Sequence, residues 1–130
     1  MAKIRIIDDD VEQSALLSEL LTRAGHVVST YDRIDGAMES LEADKPDLLV
    51  LDVMFPENAS GGLELAMKIR QNSTIRQLPI ILLTNINKEF PIGFSNNDID
   101  PKWMPVQGFL EKPVNNQQLL RKVDGLLMRT

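Results

Sequence analysis

The chain has 130 residues, 43% apolar and 25% charged, which is the composition of one folded domain rather than of a disordered or fibrous chain. Nineteen acidic residues against fourteen basic ones leave a net charge of -5, which opposes a nucleic-acid footprint, since that needs a basic face. The absence of cysteine removes disulfides, thiolate zinc sites and cysteine nucleophiles, and the one histidine, His26, cannot build a multi-histidine metal site alone.

The longest apolar runs, Leu48 to Leu51 and Ile80 to Leu83, fall far short of the ~20 residues of a membrane span, and the opening residues leave no room for a signal-peptide core. A cytoplasmic domain with no membrane contact is expected. Lys3 to Ile7 turns β-branched and apolar and stops at Asp8-Asp9-Asp10, a buried strand ending in carboxylates. Val11 to Ala24 carries Leu16, Leu17, Leu20 and Leu21 at helical spacing, with Gly25 placed to end the helix. His26 to Tyr31 reads as a second strand. Ile34, Ala37, Met38 and Leu41 mark a short helix closed before Pro46. Leu48 to Leu51 is continuously apolar, as a strand covered on both faces must be, and it ends on Asp52.

Gly61-Gly62 leads into a third helix through Leu63, Leu65, Ala66 and Ile69. Pro79 opens a fourth strand that ends at Thr84, and Phe109-Leu110 is a short fifth strand running into Lys112-Pro113. Asn115 or Asn116 caps a last helix with Leu119, Leu120, Val123, Leu126 and Leu127 inward. Five βα units of this kind predict an α/β fold, a parallel sheet with helices on both faces. The exception is Asn85 to Gly108, which holds Pro91, Gly93, Pro101, Trp103 and Pro105. There the fourth helix of the series is expected to be shortened or replaced by an irregular segment.

In an open parallel sheet, ligands bind outside the carboxyl ends of the strands at the topological switch point. Asp8, Asp9, Asp52, Thr84 and Lys112 all fall at such ends. Converging carboxylates repel one another unless cations sit among them, and a hard dication such as Mg2+ takes oxygen ligands while leaving room for water and phosphate. A carboxylate nucleophile, a lysine and a hydroxyl around one point are the parts that receive a phosphoryl group.

At these residues the chain resembles the response-regulator receiver domain of two-component signalling, similar to the stand-alone chemotaxis type, over nearly its whole length. The resemblance is carried by Ile6 to Asp10, Asp47 to Pro56, Gly62 to Leu65, Pro79 to Thr84 and Phe109 to Val114, in that order. It implies a flavodoxin-like five-stranded sheet of order 2-1-3-4-5 over residues 1–130, with Asp52 as phosphoacceptor. Asp8, Asp9, Asp52 and the backbone carbonyl of Met54 would hold Mg2+, with Mn2+ as an alternative ion. Thr84, Lys112 and Phe109 would bind the phosphoryl group and switch the surface, and Pro113 is a candidate cis-proline.

The implied partners are a sensor histidine kinase or histidine phosphotransfer protein and a downstream protein of unknown identity, with no direct nucleic-acid contact and a monomer or weak dimer as the state. The chain would be a phosphoacceptor, not an enzyme acting on other substrates. Three features depart from the family pattern: a loop from Asp52 to Gly62 about two residues longer than in the simplest members, Asn85 where a small residue is usual, and the long 85–108 segment.

Two other functions compete. A receiver-fold module that binds partners constitutively would need no phosphorylation. A haloacid-dehalogenase-type phosphatase would use Asp8 and Asp10, two apart after a strand, but Glu12 stands where such enzymes want Thr or Val. Asp10 is expected instead to serve as a charge at the start of the first helix, and His26 is given no role.

Overall fold

The computed structural model describes residues 2–53, 55–56, 61–84 and 108–127. Its elements alternate along the chain: β1 (Lys3–Ile7), α1 (Val11–Arg23), β2 (Val27–Tyr31), α2 (Ala37–Asp44), β3 (Leu48–Asp52), α3 (Gly61–Arg70), β4 (Ile80–Thr84), β5 (Gly108–Glu111) and α4 (Asn116–Leu127). All neighbouring strands pair in parallel, in the order β2-β1-β3-β4-β5. This is the parallel α/β sheet predicted from the βα alternation, in the flavodoxin-like order that the family resemblance implies. The prolines and Trp103 of the irregular segment, with Asn85, lie outside the described residues, whereas Gly108 already belongs to β5.

Strand alternation divides the core into two layers. Ile4, Ile6, Leu48, Val50, Ile81 and Leu83 point toward α1 and α4, where Leu17, Leu21, Leu119 and Val123 meet them. Ile7, Leu49, Leu51, Ile80, Leu82 and Phe109 point the other way, onto Leu41 of α2 and Leu65 and Ile69 of α3. Every residue of β3 and β4 is buried, as their unbroken apolar runs require of strands sandwiched between helices. β2 is an edge strand with mostly exposed residues, which accounts for its weaker apolar pattern.

Local chemistry sets the helix ends. The Asp10 carboxylate accepts the Gln13 N–H at 3.1 Å, so Asp10 is the N-cap of α1. Gly25, at φ 100, makes the left-handed exit that a side chain disfavours. Asn115 rather than Asn116 caps α4, accepting the Gln118 N–H at 3.0 Å.

Three expectations need correction. Leu16 is 68% exposed, because the leucines of α1 span more arc than one buried face and only Leu17 and Leu21 are fully covered. α2 starts at Ala37, leaving Ile34 in the preceding turn. Gly61 and Gly62 lie inside α3 rather than ahead of it.

Candidate functional site

The register brings the polar strand ends together. Ile7 pairs with Leu51, so Asp8 and Asp52 follow side by side at the carboxyl end of the sheet. Asp52 pairs with Leu83, which places Thr84 one step beyond it, and Thr84 pairs with Glu111, which places Lys112 next. The switch point lies between β1 and β3, since the chain leaves β1 toward one edge for β2 and returns to the other side for β3. The site sits in that crevice.

Asp8, Asp52 and Thr84 are buried and Asp9 is exposed. Lys112 Nζ stands 3.0 Å from Asp52 Oδ1 and 3.5 Å from Asp8 Oδ2. Asp8 Oδ1 accepts the Asp10 N–H at 2.9 Å. Burial pushes the Asp8 carboxyl above the usual range, opposed by that N–H and by Lys112 and reinforced by the charges of Asp9 and Asp10. The Lys112–Pro113 peptide bond is cis, and the Lys112 N–H donates to the Thr84 carbonyl at 2.6 Å, fastening the exit of β5 to the end of β4.

Asp8, Asp9 and Asp52 each offer one carboxylate oxygen within 4.8 Å of the others. This donor set fits a hard divalent cation. Among the described residues, the buried oxygens Asp8 Oδ2 and Thr84 Oγ1 find no hydrogen-bond partner. Buried polar atoms rarely stand without one unless a ligand or water completes them. Met54, expected to add its carbonyl, lies outside the described residues. Phe109 is 2% exposed and packs in the layer beneath α2 and α3, opposite Leu82. Asp10 is occupied in capping α1, which removes the second aspartate that the phosphatase reading needs.

In the sequence Gly62 stands in a Gly-Gly pair and opens one of the stretches that carry the family resemblance, with no site role assigned to it. Its N–H donates to the Val53 carbonyl at 2.8 Å, and a Cβ on it would run into the Asp52 carbonyl and come within 2.7 Å of Val53 Cα. The first turn of α3 therefore lies directly on the backbone of the central carboxylate, at a distance only glycine permits.

A parallel order 2-1-3-4-5 with an acidic trio, a lysine and a buried hydroxyl at its switch point defines a receiver-type signalling domain. The family described as response regulator receiver domain matches residues 4–124, and the chain belongs to it. The chain is 30% identical over 130 residues to the alkaline phosphatase synthesis transcriptional regulatory protein PhoP of Bacillus subtilis, covering 98% of this chain and 49% of that protein. It is 32% identical over 132 residues to the transcriptional regulatory protein CpxR of Escherichia coli, covering 100% of this chain and 51% of the other. The chain thus spans about half the length of these curated relatives.

Among solved structures, the chemotaxis response regulator CheY4 of Vibrio cholerae superposes with a TM-score of 0.80 at 25% identity, covering 97% of this chain and 98% of that one. The signal receiver domain of a signal transduction histidine kinase from Syntrophus aciditrophicus gives 0.80 at 25%, covering 100% and 92%. The chain is a receiver domain of two-component response regulators, a family that signals in partnership with histidine kinases. No described helix is long and apolar enough to cross a membrane.

Proposed function

We propose that this receiver accepts a phosphoryl group on Asp52 from a phosphohistidine of a sensor kinase or phosphotransfer protein, in a Mg2+-dependent reaction, and thereby changes its protein-binding surface. A carboxylate oxygen of Asp52 attacks phosphorus. The new O–P bond forms as the donor's P–N bond breaks, and the imidazole nitrogen leaves with the electron pair and takes a proton from water. Asp8, Asp9 and Asp52, with the Met54 carbonyl, would hold the ion, or Mn2+ in its place. When bound, it would supply positive charge to the phosphoryl oxygens.

Lys112, 3.0 Å from the nucleophile, offers a second positive charge. The buried hydroxyl of Thr84, which has no hydrogen-bond partner among the described residues, offers a donor to a phosphoryl oxygen, and that new bond would draw Thr84 inward and let Phe109 respond. The observation that carries the reading is the conjunction of three carboxylates within 4.8 Å with a lysine and a buried hydroxyl that has no hydrogen-bond partner among the described residues, at one strand end. A cytoplasmic setting and a downstream protein partner go with it.

The test is intact mass after incubation with acetyl phosphate, with and without Mg2+, for the wild type and Asp52→Asn. One phosphoryl group, Mg2+-dependent and absent from the variant, is the expected result. No adduct, and no beryllofluoride complex either, would return the chain to the constitutive module.

A further inference from the structure

The ladder between β1 and β2 uses alternate residues of β2. The Val27 N–H donates to the Ala2 carbonyl at 2.8 Å, and the Asp8 N–H donates to the Tyr31 carbonyl at 3.1 Å. In a parallel pair, that parity turns the N–H and C=O of Val27, Ser29 and Tyr31 inward and those of Val28 and Thr30 outward. No strand pairs with this outer edge among the described residues, and it carries none of the lysines, prolines or bulges that usually discourage pairing. Neither helix layer blocks it. On one face, Ser40 and Asp44 of α2 accept from Arg5 of β1, so α2 lies over β1 and leaves Val27 and Ser29 exposed.

On the other face, α1 packs against both β1 and β2. It turns small residues to the edge: Ser14, Ala15, Ser18 and Thr22 line a cavity of about 730 Å³ that reaches Thr30. Ser14 is 5% exposed, yet its hydroxyl has no hydrogen-bond partner among the described residues. The carboxylates around the cavity are matched within the chain, Glu19 by Arg23, Asp32 by Arg33 and Asp8 by Lys112. The surface therefore selects an occupant of neither charge.

We infer that this edge pairs with the same edge of a second copy, antiparallel about a two-fold axis at Ser29, joining the two sheets into one. The strand is complementary to itself in that register. Val28 of each copy lies opposite Thr30 of the other, so the outward N–H and C=O groups of both residues are all bonded. Val27, 55% exposed, lies opposite Tyr31 of the copy, an apolar cross-strand pair. Neighbouring registers lose these matches. An axis at Val28 sets Thr30 against His26, whose N–H already donates to the Leu21 carbonyl, and an axis at Thr30 sets Val27 against Arg33.

The same axis lays α1 antiparallel to its copy. Ser18, the middle of the hydroxyl row, falls near the axis, so Ser14 meets Thr22 of the copy and its hydroxyl gains a partner. Strands stand about 4.8 Å apart, so helices seated over the two outermost seams come about 10 Å from each other, a packing distance that small side chains permit. Each copy carries a net charge of -5 and contributes one strand and one helix, so a weak dimer is expected, with Kd about 10–100 μM. The pairing does not depend on phosphorylation of Asp52.

The experiment is sedimentation of the whole chain from about 5 to 500 μM at physiological salt, beside Thr30→Pro and Ser18→Arg. Thr30→Pro deletes an outward N–H without touching the ladder to β1, a substitution edge strands accept, and Ser18→Arg sets like charges against each other across the axis. Since the chain has no cysteine, Ser29→Cys places a single thiol at the axis, where opposed Cα atoms stand about 4.5 Å apart, within disulfide reach. Leu16→Cys, exposed on the flank of α1 toward Asn116, is the control.

The mass should rise from one chain toward two across the range, and each of the first two variants should raise Kd at least tenfold. Under mild oxidation, Ser29→Cys should cross-link at least tenfold faster than Leu16→Cys. Unchanged circular dichroism verifies that the variants fold, and acetyl-phosphate uptake is scored separately, so the dimer and the phosphoacceptor stand or fall independently. The inference is overturned if the wild type sediments as one chain throughout, or if Thr30→Pro dimerises as well as wild type. Cross-linking of Leu16→Cys as fast as Ser29→Cys would also overturn it, in favour of contact through the other flank of α1.

Discussion

Two clusters built around buried charged side chains, Arg5 and Asp8, lie three residues apart along the chain, and they are built on opposite terms. Arg5, 4% exposed on β1, donates to Ser29 Oγ of β2 at 2.7 Å, to Ser40 Oγ of α2, and to the Asp44 carboxylate. Its fork is matched, and it ties the edge strand to the helix above it. At the carboxyl end of the sheet, Asp8 Oδ2 and Thr84 Oγ1 are buried without a hydrogen-bond partner among the described residues, while Asp8 and Asp52 share one lysine. The first cluster satisfies itself and stabilises. The second leaves buried oxygens unsatisfied among the described residues, which costs stability. Burial of charge alone does not mark a functional site, but burial without satisfaction does.

The sharpest way to break this contrast is Arg5→Ala. It should cost about 2–3 kcal/mol, because three acceptors lose a charged donor and a long stem leaves the space under α2. Phosphoryl uptake per folded molecule should not change; denaturant unfolding and the acetyl-phosphate assay together check both halves. Comparable loss of uptake in the folded fraction would make Arg5 part of the site.

Asp8→Asn should act in the opposite direction. In chelator-treated protein at pH 7, it should raise stability by about 1–2 kcal/mol, since the amide keeps an oxygen for the Asp10 N–H and loses the repulsion. The sign follows from linkage. Burial raises the Asp8 carboxyl above its ordinary 3.8, so the folded state binds the extra proton between 3.8 and the raised value. The wild type therefore loses stability as pH climbs through that window, and the advantage of the variant should vanish near pH 4 and below. Unfolding curves across pH 3 to 7 test this, and an advantage independent of pH would refute it.

A smaller effect is expected of Thr84→Val. Replacing a buried hydroxyl that has no hydrogen-bond partner among the described residues by a methyl should gain about 1 kcal/mol while slowing phosphoryl uptake or shortening the lifetime of the adduct. A loss of stability would mean that the hydroxyl has a partner in solution. The smallest change belongs to Glu19→Gln. It removes the exposed pair with Arg23 and should alter stability by less than about 0.5 kcal/mol, measurable only as a slight midpoint shift that salt abolishes.

Most of the architecture was legible in the sequence because its signals are local. β3 and β4 announce themselves by runs that only a doubly covered strand can carry, and Asp10, Gly25 and Asn115 punctuate helices through their own short-range bonds. The site residues were legible because a parallel sheet gathers the ends of its strands, so Asp8, Asp52, Thr84 and Lys112 could be assigned to one point before any distance was known.

Other features required the folded chain. The exposure of Leu16 depends on which arc of α1 the sheet covers, which the helical period alone does not state. The fit of Gly62 against the Asp52 carbonyl and the matched fork of Arg5 join residues distant along the chain, at separations that only packing sets. Sequence determined which residues end each strand and hence what chemistry the domain holds. Tertiary structure decided which buried polar groups are satisfied and which are not, because satisfaction is a matter of ångströms between elements.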